Sequence, residues 1–285
     1  MNMLDEHITK QLLGKLNSMM NIKPNVYPGP NPVSLEKKYI RQLKTQKYWL
    51  GYKNDGERYA ICILRYDDKP RCFLLNRNLE GFQVSLKIVK KLYMGTMIDC
   101  ELVGDTLYMF DVMVYAGENI SNLNFESRIS YIDTFLKGIK ITDDSQYKFT
   151  KKEFQLLSNK VNLKCQTNND GYILVPHDKQ ITIGTNINYF KLKPQLKNTI
   201  DFAIDTNGKV YLQTNGKLIE QSHIHIKHKT NTNSFVIKEC SFIDKNTWEE
   251  LHIRRDKNIP NSVYTFTRTL VNIEENLTIN DIINE

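Results

Sequence analysis

Two apolar runs, TMIDCELV (Thr96–Val103) and TLYMFDVMVY (Thr106–Tyr115), are separated only by Gly104 and Asp105. A two-residue connector of that composition closes an antiparallel hairpin, whereas a parallel crossover needs a dozen residues or more. The chain must therefore build a largely antiparallel sheet. YAICILRY, RCFLL and GYILVP share the β-branched and aromatic character of those runs and extend it. Helices flank the sheet in sequence. Leu4, Ile8, Leu12 and Leu16 predict an amphipathic helix within residues 1–21, and Phe125, Ile129, Ile132 and Leu136 predict another over 121–138. YPGPNPVSL (Tyr27–Leu35) has three prolines and one glycine and reads as a stiff irregular connector.

Beyond Pro194 the pattern changes. DFAIDTNGKVYLQTNGKLIEQ holds two Thr-Asn-Gly turns joining short strands into a meander, and FVIKECSFI adds a further strand. Short strands at this spacing suit a small barrel of the OB type. Val263, Phe266, Leu270 and Ile273 return to helical spacing. The expected fold class is α+β: an antiparallel-sheet domain over 1–196, an OB-type barrel over 197–260, and a helical segment over 261–285 packing back on the first domain.

Composition narrows the function classes. With 40% apolar and 25% charged residues among 285, the chain is globular in character. No apolar run reaches the ~18 residues of a membrane span, and the first residues are charged where a signal peptide is apolar, so no membrane partner is expected. Five cysteines without a C-x-x-C spacing suggest reduced, mostly buried thiols. A formal charge of +7 favours an anionic partner without identifying one.

The chemistry concentrates in YKNDGER, where Lys53 precedes Asp55-Gly56 by two residues and Arg58 follows by two. A lysine attacks only as the free amine, and its ordinary pKa of roughly 10.4 must be lowered by desolvation or nearby cations. Arg58 offers such a cation or a planar fork for phosphate. A polar turn between two strands explains the same residues when they are taken alone. Lys191 and Lys193 of FKLKP are two apart and share a face if that segment is a strand. Glu101 and Asp170 supply hard oxygens of the kind magnesium takes, although Asn169-Asp170-Gly171 is also a good turn.

KNDGER resembles the KxDGxR motif of covalent nucleotidyltransferases, the superfamily of messenger-RNA capping guanylyltransferases and ATP-dependent DNA and RNA ligases. IDCELV, YMFDVMVYAG, NDGYILVP, FKLKP and WEELHIRRDK resemble five further motifs of that superfamily, in the same order. YPGPNPVSL is similar to the FPG-x-QPVSL segment of capping enzymes, which ligases lack. FKLKPQLKNTIDF, with Trp248, Arg254, Asp256 and Lys257, also follows the capping pattern. The resemblance runs from Tyr27 to the C-terminus.

It implies a guanylyltransferase in which Lys53 takes GMP from GTP as a phosphoramidate and passes it to a 5′-diphosphate RNA. By resemblance, Lys191 and Lys193 hold the α-phosphate and depress the Lys53 pKa, and Arg77 and Glu101 contact the ribose. Phe110 stacks on guanine, and Asp170, with Glu101 as the second choice, binds magnesium or manganese. Arg254, Asp256 and Lys257 close over the β- and γ-phosphates as part of a lid. An RNA triphosphatase and a cap methyltransferase are implied in trans or in a longer polypeptide. The site of action is intracellular, nucleus or cytoplasm. Abundant Asn, Lys and Ile suggest an AT-rich genome such as that of a cytoplasmic virus.

A ligase using ATP, and a non-catalytic RNA-binding module of the same fold, are the alternatives. Three residues depart from the pattern: Cys100 for a glycine, His252 for an arginine and Tyr172 for a leucine. Lys148 is the candidate for reading guanine O6. His223, His225 and His228 read as a solvated strand, and the lysine pairs at 37–38, 90–91 and 151–152 as solubility.

Overall fold

The computed structural model describes residues 2–140, 146–165, 167–228, 234–255 and 257–283. Two compact units divide the chain: Met1–Val33 with Gln42–Lys191, and Ser34–Arg41 with Leu192–Glu285.

In the first unit, Thr96–Val103 and Thr106–Tyr115 pair antiparallel across a turn at which Gly104 has φ +61°, as the two-residue connector requires. They lie in an eight-stranded sheet whose neighbouring strands run Asn2–Met3, Gly81–Gln83, Lys69–Asn76, Glu57–Tyr66, Thr96–Val103, Thr106–Tyr115 and Glu118–Asn119. Lys148–Lys151 joins Thr106–Tyr115 in parallel.

The central strand Glu57–Tyr66 is buried on both faces, which explains its unbroken apolar run. Tyr59, Ile61 and Ile63 meet Phe125, Ile129, Ile132 and Phe135 of the helix Phe125–Gly138 in one cluster. Ala60, Cys62 and Leu64 meet Leu12, Leu13 and Leu16 of the helix Glu6–Met19 in the other. Asp5 and Asn124 cap these helices, each accepting backbone N–H bonds from the first turn.

A five-stranded sheet orders Gln155–Leu156, Tyr48–Asn54, Asn169–Pro176, Gly184–Leu192 and Pro30–Ser34. The segment expected as an irregular connector thus contains a strand. Its position at the sheet edge is where missing proline N–H groups are tolerated.

The second unit is built on a six-stranded sheet in the order Lys217–Glu220, Val210–Thr214, Thr199–Ile204, Val236–Phe242, Thr247–Ile253, His225–Lys227. The last pair is parallel. Asn215 (φ 50°) and Gly216 (φ 79°) form the tight turn that the second Thr-Asn-Gly predicts. Phe202, Leu212, Cys240 and Trp248 fill the core. The helix Val263–Glu275 adds Phe266 and Ile273 to that core, with Phe266 meeting the rings of Phe202 and Trp248. It belongs to the second unit, which also includes Ser34–Arg41: Asn272 donates to Leu35 O at 2.9 Å, and Glu275 accepts from the Lys37 N–H at 2.7 Å. Among the described residues no helix is long and apolar enough to cross a membrane.

Candidate active site

Two β-bulges build the site. Asn54 pairs with Asn169 and Tyr52 with Tyr172, so Lys53 alone stands opposite both Asp170 and Gly171. A bulge of this kind re-aims a side chain, and Gly171 supplies the positive φ (119°) that it uses. The result brings Asp170 Oδ2 to 3.1 Å from Lys53 Nζ, which also donates to Asn54 O at 3.3 Å. Asn169-Asp170-Gly171 is therefore an irregularity within the strand Asn169–Pro176 and not a turn.

The second bulge lies across the hairpin. Asp99 pairs with Asp111 and Cys100 with Met109, leaving Phe110 as the extra residue. Its ring is half-buried and lies 5.6 Å from the Arg58 guanidinium carbon and 5.3 Å from Lys152 Nζ.

Register brings the acids alongside. Arg58 pairs with Glu101 and Ala60 with Asp99. Burial pushes the Glu101 carboxyl up, against the pull of Lys152, Lys53 and a hydrogen bond from the Gly56 N–H. Gly56 is required by close approach: a Cβ there would meet Leu102 O and lie 2.7 Å from the Val103 side chain.

Arg58 donates through Nε to Asp99 Oδ1 (2.9 Å), through Nη2 to Asp99 Oδ2, and through Nη1 to Pro30 O (2.8 Å). Burial alone would lower its pKa, but the Asp99 carboxylate outweighs this and raises it. The fork expected to hold phosphate thus holds an aspartate. Arg77 donates to Asn31 Oδ1 at 3.2 Å, the oxygen that Arg58 also reaches at 3.5 Å. Burial, reinforced by Arg58, lowers the Arg77 pKa.

The residue that the sequence reading misplaces is Lys152. Its partner in the pair, Lys151, is a surface lysine bound to Asp133 at 2.6 Å, whereas Lys152 is only 4% exposed. Burial lowers its pKa to about 8, with Glu101 opposing and Lys53 reinforcing. No adjacent-residue signal separates the two lysines. Lys148, the expected guanine reader, is an exposed partner of Asp105 at 2.8 Å.

The structure gathers Lys53, Arg58, Arg77, Glu101, Phe110 and Asp170 in the first unit. Lys191 is the last residue of that unit and the next to last of the strand Gly184–Leu192, whereas Lys193 lies beyond the strand's end and in the second unit, so the shared strand face does not extend to it. The charged partner of Lys53 is the carboxylate of Asp170. In the second unit Arg254 Nη1 donates to Asp201 Oδ1 and Glu239 Oε2, each at 3.1 Å, and Lys257 is also bound to Asp201. His252 lies 3.4 Å from Glu239. Asp256 lies outside the described residues.

Among the described residues no group of three or more His, Cys, Asp or Glu is placed to hold a metal ion. His228 is not simply solvated: its Nδ1 is 3.4 Å from Lys238 Nζ, beside the buried Lys238–Glu250 pair.

Comparison with known proteins fits this arrangement. The family model described as mRNA capping enzyme, catalytic domain, matches residues 3–195, and that described as mRNA capping enzyme, C-terminal domain, matches residues 207–283. The mRNA-capping enzyme subunit alpha of Schizosaccharomyces pombe is 25% identical, covering 99% of this chain and 84% of its own. The mRNA-capping enzyme of Mus musculus is 24% identical over 84% of this chain and 46% of its own, so the chain spans about half the length of that relative. The solved structure named "Pmar-Lig_Pre." aligns at 10% identity with a TM-score of 0.41, over 86% of this chain and 72% of its own. With the catalytic-domain match alone covering more than half of its length, the chain belongs to the mRNA capping enzyme family.

Proposed function

We infer that the protein is an mRNA guanylyltransferase that carries GMP from GTP to the 5′-diphosphate end of RNA through Lys53. The observation that carries this reading is the position of the Lys53 amine, 3.1 Å from a carboxylate aimed at it by a bulge. A half-buried aromatic ring in the same unit is capped by Lys152.

In the first step the Lys53 nitrogen attacks the α-phosphorus in line. The P–N bond forms as the bond to the β-phosphate oxygen breaks, and that electron pair leaves with pyrophosphate. The amine must shed a proton first, and Asp170 Oδ2 is an acceptor within reach. In the second step a terminal phosphate oxygen of diphosphate RNA attacks the same phosphorus, the P–N bond breaks, and GpppN leaves as Lys53 regains a proton.

Phe110 offers a stacking face to the base, worth ~1 to 3 kcal/mol. The Lys152 ammonium at the ring donates to the O6 and N7 acceptors of guanine, whereas adenine presents an amino donor where guanine has O6. Arg77 and Glu101 are assigned to the ribose, Lys191 and Lys193 to the α-phosphate, and Arg254, Asp256 and Lys257 to the leaving phosphates.

Asp170 and Glu101 fit a magnesium or manganese ion in donor type, and the burial that raises the Glu101 pKa is a cost that a cation would relieve. Bound there, the ion would neutralise phosphate charge. An OB-type barrel for the second unit, an RNA triphosphatase and cap methyltransferase acting in trans or in a longer polypeptide, and action inside the cell follow from the same reading.

Incubation with α-labelled GTP and magnesium should leave an acid-stable label on the protein, absent in Lys53→Ala. Labelling by ATP in preference to GTP would overturn guanylyl transfer in favour of ligation, and labelling of Lys53→Ala would remove Lys53 from the reaction.

A further inference from the structure

We propose that Tyr27, Gly29 and Pro30 form a cradle that holds the Arg58 guanidinium over Phe110, making Tyr27 and Arg58 positioning residues for the base-stacking ring. The proposal rests on the nucleotide-binding reading above and deepens it.

Phe110 needs a holder. As the extra residue of a bulge it lies outside the regular ladder that fixes its neighbours Met109 and Asp111. Arg58 meets the ring at 5.6 Å and the Tyr27 ring at 5.1 Å. Four of its five N–H groups are aimed at protein oxygens, on Asp99, Pro30 and Asn31. A guanidinium so engaged has little left for a phosphate, but its flat face remains a wall against an aromatic ring. Tyr27 completes the arrangement by donating its hydroxyl to Asp99 Oδ1 at 3.2 Å, so that one aspartate fixes both the cation and the ring stacked on it.

Gly29 shows how tight the cradle is. A Cβ added there would lie 2.5 Å from Arg58 Nη2, 2.9 Å from Asp99 Oδ2 and 3.2 Å from the Tyr27 ring. Its backbone is not in the left-handed region, so an alanine is excluded by crowding alone. Proline on both sides, at 28 and 30, stiffens the segment that carries these contacts.

Gly29→Ala is therefore the sharpest test, because it removes no functional group and displaces the guanidinium. In the full chain, we expect the KM for GTP in Lys53 labelling to rise about tenfold, while the maximal labelling rate stays within about twofold. Tyr27→Ala should match it, and Tyr27→Phe, which keeps the ring, should restore most of the affinity. A fall in maximal rate at unchanged KM would overturn the proposal, since it would place Arg58 on the phosphates. So would a KM within about twofold of wild type in both Gly29→Ala and Tyr27→Ala.

Should thermal melting show Gly29→Ala unfolded, the two Tyr27 variants decide alone. Titration calorimetry with GTP and with ATP keeps the two readings separate. If wild type binds a nucleotide without taking a label, guanylyl transfer fails, while a tenfold weaker Kd in the variants still supports the cradle. If wild type binds neither nucleotide, the cradle is overturned too.

Discussion

Asp99 and Asp111 face each other across neighbouring strands, and each takes an arginine through two nitrogens. The two pairs have opposite purposes. Arg128, on Asp111, is fully buried and sends its remaining N–H groups to Leu123 O at 2.6 Å, Lys179 O at 3.3 Å and the Tyr189 hydroxyl at 3.3 Å. It fastens the entrance of the helix Phe125–Gly138 to a distant loop and a strand. Arg58, on Asp99, spends its remaining donors on one short segment, and the rest of its surface lies over Tyr27 and Phe110 with 15% of the side chain exposed. Both guanidiniums lie 5.6 Å from a phenylalanine ring, Arg128 over Phe125 of its own helix and Arg58 over Phe110; the same ion-pair chemistry is a staple where the cation and its ring are fully buried and a positioning plate where both are partly exposed.

Removing one partner is the most direct way to break that comparison. Asp111→Asn leaves a buried guanidinium short of its counter-charge, and unfolding in urea should show a loss of about 3 to 5 kcal/mol. The folded fraction should still be labelled by GTP with an unchanged KM. Asp99→Asn should cost less stability and raise the KM. Equal stability losses with equal KM values would erase the distinction between the two pairs.

A smaller effect sharpens the comparison at Phe110, which Arg58 shares with Lys152. Lys152→Met preserves the side chain's bulk while deleting the charge. It should leave stability unchanged or improved, because burying an ammonium is costly, and reduce the preference for GTP over ATP about tenfold in competition labelling. Lys151→Met, next door, removes a partly exposed ion pair and should change stability by about 1 kcal/mol or less, with no change in nucleotide preference. If the two methionine variants behave alike, Lys152 has no part in reading the base.

What the sequence makes legible here is periodic or motif-borne. Alternation and a two-residue turn specify the hairpin Thr96–Tyr115, and i, i+4 leucines specify the helix at Glu6–Met19. Lys53, Glu101, Asp170 and Phe110 are legible as members of motifs. The reason for their convergence is not, because a bulge is one extra residue with no signature of its own, and both Asp170 and Phe110 depend on one. Adjacent lysines hide Lys152 for a related reason: which of two neighbours faces inward is settled by the parallel pairing of Lys148–Lys151 with Thr106–Met109, a long-range contact. Asp99 is overlooked because its motif partner Glu101 already accounts for an acid there.

The smallest expected effect separates Lys152 from every other cation near Phe110, because it has a sign that stability and binding read in opposite directions. Burial, with Lys53 and Arg58 adding to it against Glu101 and Asp99, brings its pKa to about 8. An unfolded lysine titrates at roughly 10.4. Below about pH 8 the ammonium is present in both states and its buried charge burdens the fold in full. Between about pH 8 and roughly 10.4 the unfolded chain holds a proton that the folded chain has released, so this group's contribution to stability rises with pH. GTP binding runs the other way, since the protonated amine is the stronger, charge-assisted donor to guanine and the neutral amine a weak one. The affinity should fall a few-fold between pH 7 and 9, at about the scale of one charge-assisted hydrogen bond. Thermal melts across this range, with and without GTP, measure both at once: the nucleotide-free midpoint should carry an upward component absent in Lys152→Met, while the added stabilisation by GTP shrinks. A GTP-induced shift that stays constant through pH 9 in wild type would detach Lys152 from the base.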